Sequence, residues 1–149
     1  MPERGAASVL AFDYGLKRIG IASGDTLTRT AAPRTSIAVH ASGPDWPAID
    51  REVAALRPAV LVVGTPYNAN GTPGSLTRAA RAFAAELENR FGLPVKRVDE
   101  RWSSLEGAAT LRARRSSGQR RRRVQRGDVD SAAAAVILER WLNGEEERT

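Results

Sequence analysis

The chain reads as one α/β domain, a mixed five-stranded sheet flanked by helices. Three observations predict this. Two short apolar runs, Val9 to Phe12 and Ile19 to Ala22, are joined by a tight connection and read as a hairpin. Beyond residue 45, apolar strands alternate with segments of helical period. Carboxylates stand at the mouths of apolar elements, at Asp13, at Asp99 and Glu100, and at Asp128 and Asp130.

Taken in order, Ser8 to Asp13 and Arg18 to Ser23 are the hairpin strands, and the Pro33 break precedes a third strand, Thr35 to Val39. From Asp45 or Trp46 to Leu56 the apolar residues Ile49, Val53 and Leu56 fall on one helical face, and after Pro58 the run Ala59 to Gly64 reads as a buried strand. Thr65 to Gly74 is dense in turn formers. Ser75 then caps a long helix ending near Arg90, with Gly92 beyond it. A fifth strand, Pro94 to Val98, delivers Asp99 and Glu100, and helices follow at Ser103 to about Arg115 and at Asp128 to Leu142, the second capped by Asp128. Residues 143–149 are a charged tail expected to fray. Antiparallel strands first, then strands alternating with helices, is the ribonuclease H-like arrangement. Residues 1–149 suit a single domain of this kind, large enough to bury roughly two-thirds of the unfolded surface.

Composition narrows the chemistry. The absence of cysteine removes disulfides, thiolate metal sites and cysteine nucleophiles. The N-terminus lacks the apolar run of a signal peptide, and no stretch approaches the roughly 18 apolar residues of a membrane span, so a cytoplasmic protein is expected. The net charge of +6 is concentrated: eight arginines and no acid lie between Arg112 and Arg126, which leaves −2 on the rest of the chain. A cationic patch on a near-neutral body is the footprint of a polyanion, most often nucleic acid, and the guanidinium fork suits phosphate oxygens. The run has no apolar face for lipid.

An ionised Asp at the end of a core strand is costly unless it is paired, hydrogen-bonded or bound to metal. Asp13 is such a residue, and three acids converging on one point form a hard-cation site. Asp130 shares a helical stripe with Ala134, Ile137 and Trp141, the stripe that faces the sheet. Strand alternation points Asp99 to the face opposite Glu100, which makes Glu100 the candidate of that pair. In an open α/β sheet, sites form beyond the carboxyl ends of the strands, where Asp13, the segment Gly64 to Asn68, and Glu100 all fall.

Four segments carry a family resemblance: Phe12 to Ala22, with Asp13-Tyr14-Gly15 at its head; the loop Gly64-Thr65-Pro66-Tyr67-Asn68-Ala69-Asn70-Gly71; Asp99-Glu100-Arg101-Trp102-Ser103-Ser104; and Gly127-Asp128-Val129-Asp130-Ser131 with the alanines after it. In this order they resemble the signatures of the YqgF family, nucleases of ribonuclease H-like fold related to Holliday-junction resolvases and assigned to maturation of the small-subunit ribosomal RNA precursor. The resemblance covers residues 9 to about 142. It carries the catalytic and metal-binding role to Asp13, Glu100 and Asp130, with Mg²⁺ or Mn²⁺ as cofactor. The family usually has Leu at the place of Thr65 and Asp at the place of Asn70, and Thr-Thr at Ser103-Ser104.

Such a site supports metal-dependent phosphodiester hydrolysis, with Asp13 bridging the cations and Glu100 and Asp130 flanking them. Lys17, Arg18, Asn68 and Arg101 are placed to contact the nucleic acid near the acids, and Arg120, Arg121, Arg122, Arg123 and Arg126 to grip it further out. His40 is the only histidine and lies far from all four segments, so it is read as solvated. Two other function classes compete. An Asp-x-Gly turn also opens the phosphate loop of actin-like ATPases and sugar kinases, but those need two lobes, and no Gly-x-x-x-x-Gly-Lys pattern is present. A non-catalytic module that binds RNA or the ribosome through its arginines is the other. Among substrates, pre-16S rRNA is favoured over a four-way DNA junction, because symmetric junction cutting needs a stable two-fold dimer. The residues offer no dedicated face for one, so a monomer acting on RNA, with ribosomal precursor particles as partners, is the expectation.

The arginine run yields a direct test. Each phosphate contact steepens the log–log salt dependence of duplex binding by about 0.9. Replacing Arg120, Arg121, Arg122 and Arg123 by Ala should flatten that slope in a salt titration of duplex binding; an unchanged slope would return the run to a solubilising role.

Overall fold

A computed structural model describes residues 7–68, 70–99 and 126–145, with side chains in the last segment described from Val129 onward. The first hairpin forms as expected. β1 (Ser8–Tyr14) pairs antiparallel with β2 (Arg18–Asp25), and β3 (Thr30–His40) pairs with β2 on its other side. A two-residue strand, β4 (Gly43–Pro44), returns along the end of β3 before α1 (Trp46–Leu56), and β5 (Val60–Thr65) then lies parallel to β1. α2 (Ser75–Phe91) crosses back so that β6 (Val95–Asp99) adds parallel to β5, and α3 (Arg126–Leu142) closes the described chain. Among the described residues the sheet has six strands in the order β4-β3-β2-β1-β5-β6, one more than the five expected, the addition being the short β4.

Strand alternation sorts the core into two layers. Leu10, Phe12, Ile19, Ile21, Leu61 and Val63 point to one face and pack with Ile49 of α1 and Phe83 and Leu87 of α2. Their alternates Val9, Ala11, Ala22 and Val62 point to the other face and meet Ala134, Ile137 and Leu138 of α3. The four consecutive alanines Ala132 to Ala135 are all buried, so the small-residue face serves packing within the chain.

Several expectations are corrected. The third strand runs through Pro33 instead of starting after it. The register shifts between Ile21 and Ala22, leaving Arg34 as one extra residue on β3, and proline is tolerated at such a bulge on the outer side of a sheet. The extra residue reverses the alternation, so Ala31 joins the α3 layer while Ile37, also odd-numbered, joins the other. Arg34 itself turns out to Glu52 of α1, Nε to Oε1 2.6 Å. The cap of α2 is Gly74, not Ser75, with the Gly74 amide donating to Thr77 Oγ1 at 2.9 Å. α3 begins at Arg126, which puts Asp128 inside the first turn and not at the cap. The start of the tail is ordered: the Glu145 amide donates to the Arg140 carbonyl at 2.9 Å and closes the helix through Gly144 at φ 98°. The helix expected over Ser103 to Arg115 and residues 146–149 lie outside the described residues.

One close approach fixes α3. A Cβ on Gly20 would come within 2.0 Å of the Asp130 carbonyl oxygen, and one on Gly24 within 2.8 Å of Leu138 Cδ2. The two contacts are commensurate, since four strand residues and eight helical residues each rise roughly 12–13 Å. α3 therefore runs along β2 in the same direction, with Asp130 at the site end. Gly20→Ala must push the helix off the sheet at backbone atoms that cannot rotate away. The expected cost is about 3 kcal/mol, read as a lowered urea midpoint; an unchanged midpoint would show that the helix does not depend on this contact.

Candidate acidic site at the carboxyl ends of the strands

Asp13 is the penultimate residue of β1 and shares the α3 face with Val9 and Ala11. Its partners across the sheet are Gly20 on β2 and Gly64 on β5. Neither neighbour has a side chain; the Asp130 backbone fills the space over Gly20, and Asp13 itself is half-buried. The turn after it is tight: a Cβ on Gly15 would meet the Arg18 carbonyl oxygen at 2.6 Å. The Lys17 carbonyl accepts the Val39 amide at 2.9 Å, which ties this turn to β3. Leu16 is 72% exposed at its tip, beside Lys17.

Asp130 reaches the same place from α3. Its backbone lies on Gly20, the residue paired with Asp13, and its Oδ2 accepts the Arg18 Nε–H at 2.6 Å. Arg18 has the parity of Gly20 and Ala22, which is why its guanidinium emerges on the α3 face. The pair is 34% and 23% exposed, so it contributes at most about 1 kcal/mol.

Two of the three expected acids thus share one face at one end of the sheet, where the carboxyl ends of β1, β5 and β6 also meet. Glu100, Arg101 and Arg120 to Arg123 lie outside the described residues; Arg126 heads α3, with its side chain undescribed. No group of three or more metal-ligating side chains occurs among the described residues. Asp99 pairs with Thr65 and has the parity of Val95, which packs in the α1/α2 layer, in keeping with its expected exclusion from the Asp13 face. Carboxylate oxygens such as those of Asp13 and Asp130 are of the kind that suits a hard divalent cation. On the other layer, burial and then the charge of Arg81 hold the Arg97 guanidinium below its ordinary value.

The polar side chains of the loop after β5 hydrogen-bond to one another. Asn68 Nδ2 donates to Thr72 Oγ1 at 3.0 Å and the Asn68 amide to the Thr72 carbonyl at 2.9 Å, so this side chain shapes the loop itself. Asn70 Oδ1 accepts from the Thr72 amide at 3.1 Å and its hydroxyl at 2.7 Å. That is an acceptor's task, which an amide and a carboxylate perform equally. The buried Thr77 hydroxyl donates to the Pro66 carbonyl and ties the loop to α2.

A family model described as "RuvX: Holliday junction resolvase" matches residues 7–144. The chain belongs to the RuvX family. It is the family the sequence resembles under the name YqgF. A Xanthomonas campestris pv. campestris (strain 8004) protein named "Putative pre-16S rRNA nuclease" is 46% identical over 153 residues, covering 100% of this chain and 98% of the relative. One of the same name from Xanthomonas oryzae pv. oryzae (strain PXO99A) is 44% identical with the same coverage. Among solved structures, T. thermophilus RuvC in complex with a Holliday junction substrate aligns with TM-score 0.54 at 16% identity, covering 95% of this chain and 98% of that one. The yeast mitochondrial Holliday junction resolvase Ydc2 aligns with TM-score 0.51 at 11% identity, covering 95% and 80%. These two likenesses establish the ribonuclease H-like fold expected from the sequence.

Sequence reasoning missed the Arg18–Asp130 pair and the glycines that flank Asp13. The glycines were visible in the motif; only the register, Asp13 between Gly20 and Gly64, gives them meaning. Thr65, where the family usually has Leu, is fully buried, and its Oγ1 has no hydrogen-bond partner among the described residues. An orphaned buried hydroxyl costs about 1–3 kcal/mol. Thr65→Val, of the same shape, should therefore raise stability by about 1 kcal/mol in urea unfolding; a loss of stability would reveal a partner for that hydroxyl.

Proposed function

We propose that this chain is a divalent-metal-dependent nuclease that hydrolyses phosphodiester bonds in the 5′-end maturation of pre-16S rRNA. The observation that best supports it is the meeting of Asp13 and Asp130 on one face at the strand ends, in a chain whose 46% identical, full-length relative is named for that activity. Together with Glu100 they would hold Mg²⁺ or Mn²⁺, which when bound activates a water and offsets charge developing on the phosphate. Asp13 would be a ligand together with Asp130, whose helix rests on the Gly20 beside it. Lys17, in the turn beyond Asp13, and Arg101 neutralise the backbone around the scissile bond. The arginines at 120–123 and 126 hold flanking phosphates without reading bases. The partners are the rRNA precursor and the particle that carries it, and the place of action is the cytoplasm. Among the described residues no helix is long and apolar enough to cross a membrane.

The family description favours a second reading, resolution of four-way DNA junctions by a two-fold dimer. One experiment separates the two. Purified wild type and Asp13→Asn, each shown folded by circular dichroism, are assayed with Mn²⁺ on a small-subunit rRNA precursor end and on a synthetic four-way junction. The expected result is RNA cleavage by the wild type, slowed in Asp13→Asn by more than about a hundred-fold, beyond what a supporting residue costs. Paired symmetric nicks in the junction with untouched RNA would replace the first reading by the second, and cleavage by Asp13→Asn at the wild-type rate would remove Asp13 from the chemistry.

A further inference from the structure

Two carboxylates gathered on one face repel each other unless a positive charge lies between or beside them. The Arg18 guanidinium is such a charge, with Nε 2.6 Å from Asp130 Oδ2. The contact spans 112 positions of sequence and depends on α3 resting on Gly20. A guanidinium has only donors, and a carboxylate oxygen that accepts its N–H at this distance has that lone pair occupied. A cation and Arg18 therefore cannot share that direction of Oδ2. The pair is also part-exposed, 34% and 23%, so solvent screening leaves it weak enough to give way to a divalent ion.

From this we infer that Arg18 is a built-in counter-ion, which holds Asp130 while no cation is bound and surrenders it when one arrives. The inference rests on the reading of Asp13 and Asp130 as metal ligands. It assigns Arg18 a positioning role in two states. In the metal-free state it keeps Asp130 oriented over β2 and offsets the repulsion from Asp13. In the loaded state its guanidinium is released on the same face, where a substrate phosphate is the available acceptor. Lys17, the adjacent cation, is exposed in the turn and serves as an internal control for charge alone.

The test is isothermal titration of the full chain with MnCl₂ in 0.15 M salt. Arg18→Gln should bind Mn²⁺ about three- to five-fold more tightly than wild type, the fold-change that loss of a part-exposed competing pair releases. Lys17→Gln removes the same charge without the contact and should change affinity by less than about two-fold, because salt screens it. In an Asp130→Asn background, Arg18→Gln should leave Mn²⁺ affinity unchanged. Should Arg18→Gln not fold, Arg18→Lys keeps the charge but loses the Nε–H, and about two-fold tightening is then expected. Equal effects of the Arg18 and Lys17 substitutions, no effect of Arg18→Gln, or weaker binding in it would each overturn the counter-ion role while leaving the metal reading intact. Failure of the wild-type chain to bind Mn²⁺ at all would overturn both.

Discussion

The contact on which the site depends is between a strand and a helix at Gly20. Here the Asp130 backbone lies where any other residue would carry a Cβ, and that nearness, not a side-chain interaction, sets how deep α3 sits on the sheet. Two consequences follow from one missing methyl group. The alanines of α3 become buried because the helix is close enough to cover Val9, Ala11 and Val62. Asp130 is also carried to the neighbour of Asp13, so an acid from residue 13 and one from residue 130 come to adjacent positions on one face of the sheet. The ion pair with Arg18 is a result of this arrangement. A part-exposed pair worth about 1 kcal/mol cannot hold a helix in place, whereas a packed backbone contact can.

The acids themselves make the arrangement costly, and the structure shows how the cost is contained. Asp13 stays half-buried near the end of its strand, so the desolvation that would penalise a sealed carboxylate is reduced. Asp130 meets a guanidinium. Neither solution closes the site, which fits a place where an ion and a phosphodiester exchange with solvent better than it fits a structural ion pair. Function and packing therefore divide by face. The α1/α2 layer holds the large side chains, with Phe83 against Phe12, Tyr14 and Trp46 at centroid distances of 5.0–5.6 Å, while the α3 layer is built from small residues that bring the helix near.

Features with a local physical signature were legible in the sequence. Asp13 is conspicuous because an acid ends an apolar run, and the stripe Asp130, Ala134, Ile137, Trp141 is legible from its 3.6-residue period; both lie where that reasoning put them. What escaped was long-range. Nothing near Arg18 points to residue 130, and Gly20 and Gly64 gain their meaning only when strand register sets them on either side of Asp13. Pro33 was misread for a related reason. Proline breaks a strand that must donate on that side, but at a bulge on a strand whose outer neighbour, β4, reaches only Val39 and His40, no donor is missed. The caps at Ser75 and Asp128 were misplaced because capping preference tolerates a shift of one or two residues, and tertiary packing made the choice.

Asn68 shows a further limit of motif reasoning. A polar residue in a loop beyond the strand ends reads as a contact for substrate, and the same residue type is equally suited to holding the loop's own backbone. Here the second use is visible, since the Asn68 side chain donates to Thr72 and Asn70 accepts from the same threonine. The loop so formed is anchored by Thr77 to α2 and begins at Thr65, one residue beyond the strand partner of Asp13. Replacement of a family Asp by Asn70 is then intelligible: what the position supplies is an acceptor oxygen aimed at Thr72, and the charge was never the part that mattered to the fold of the loop.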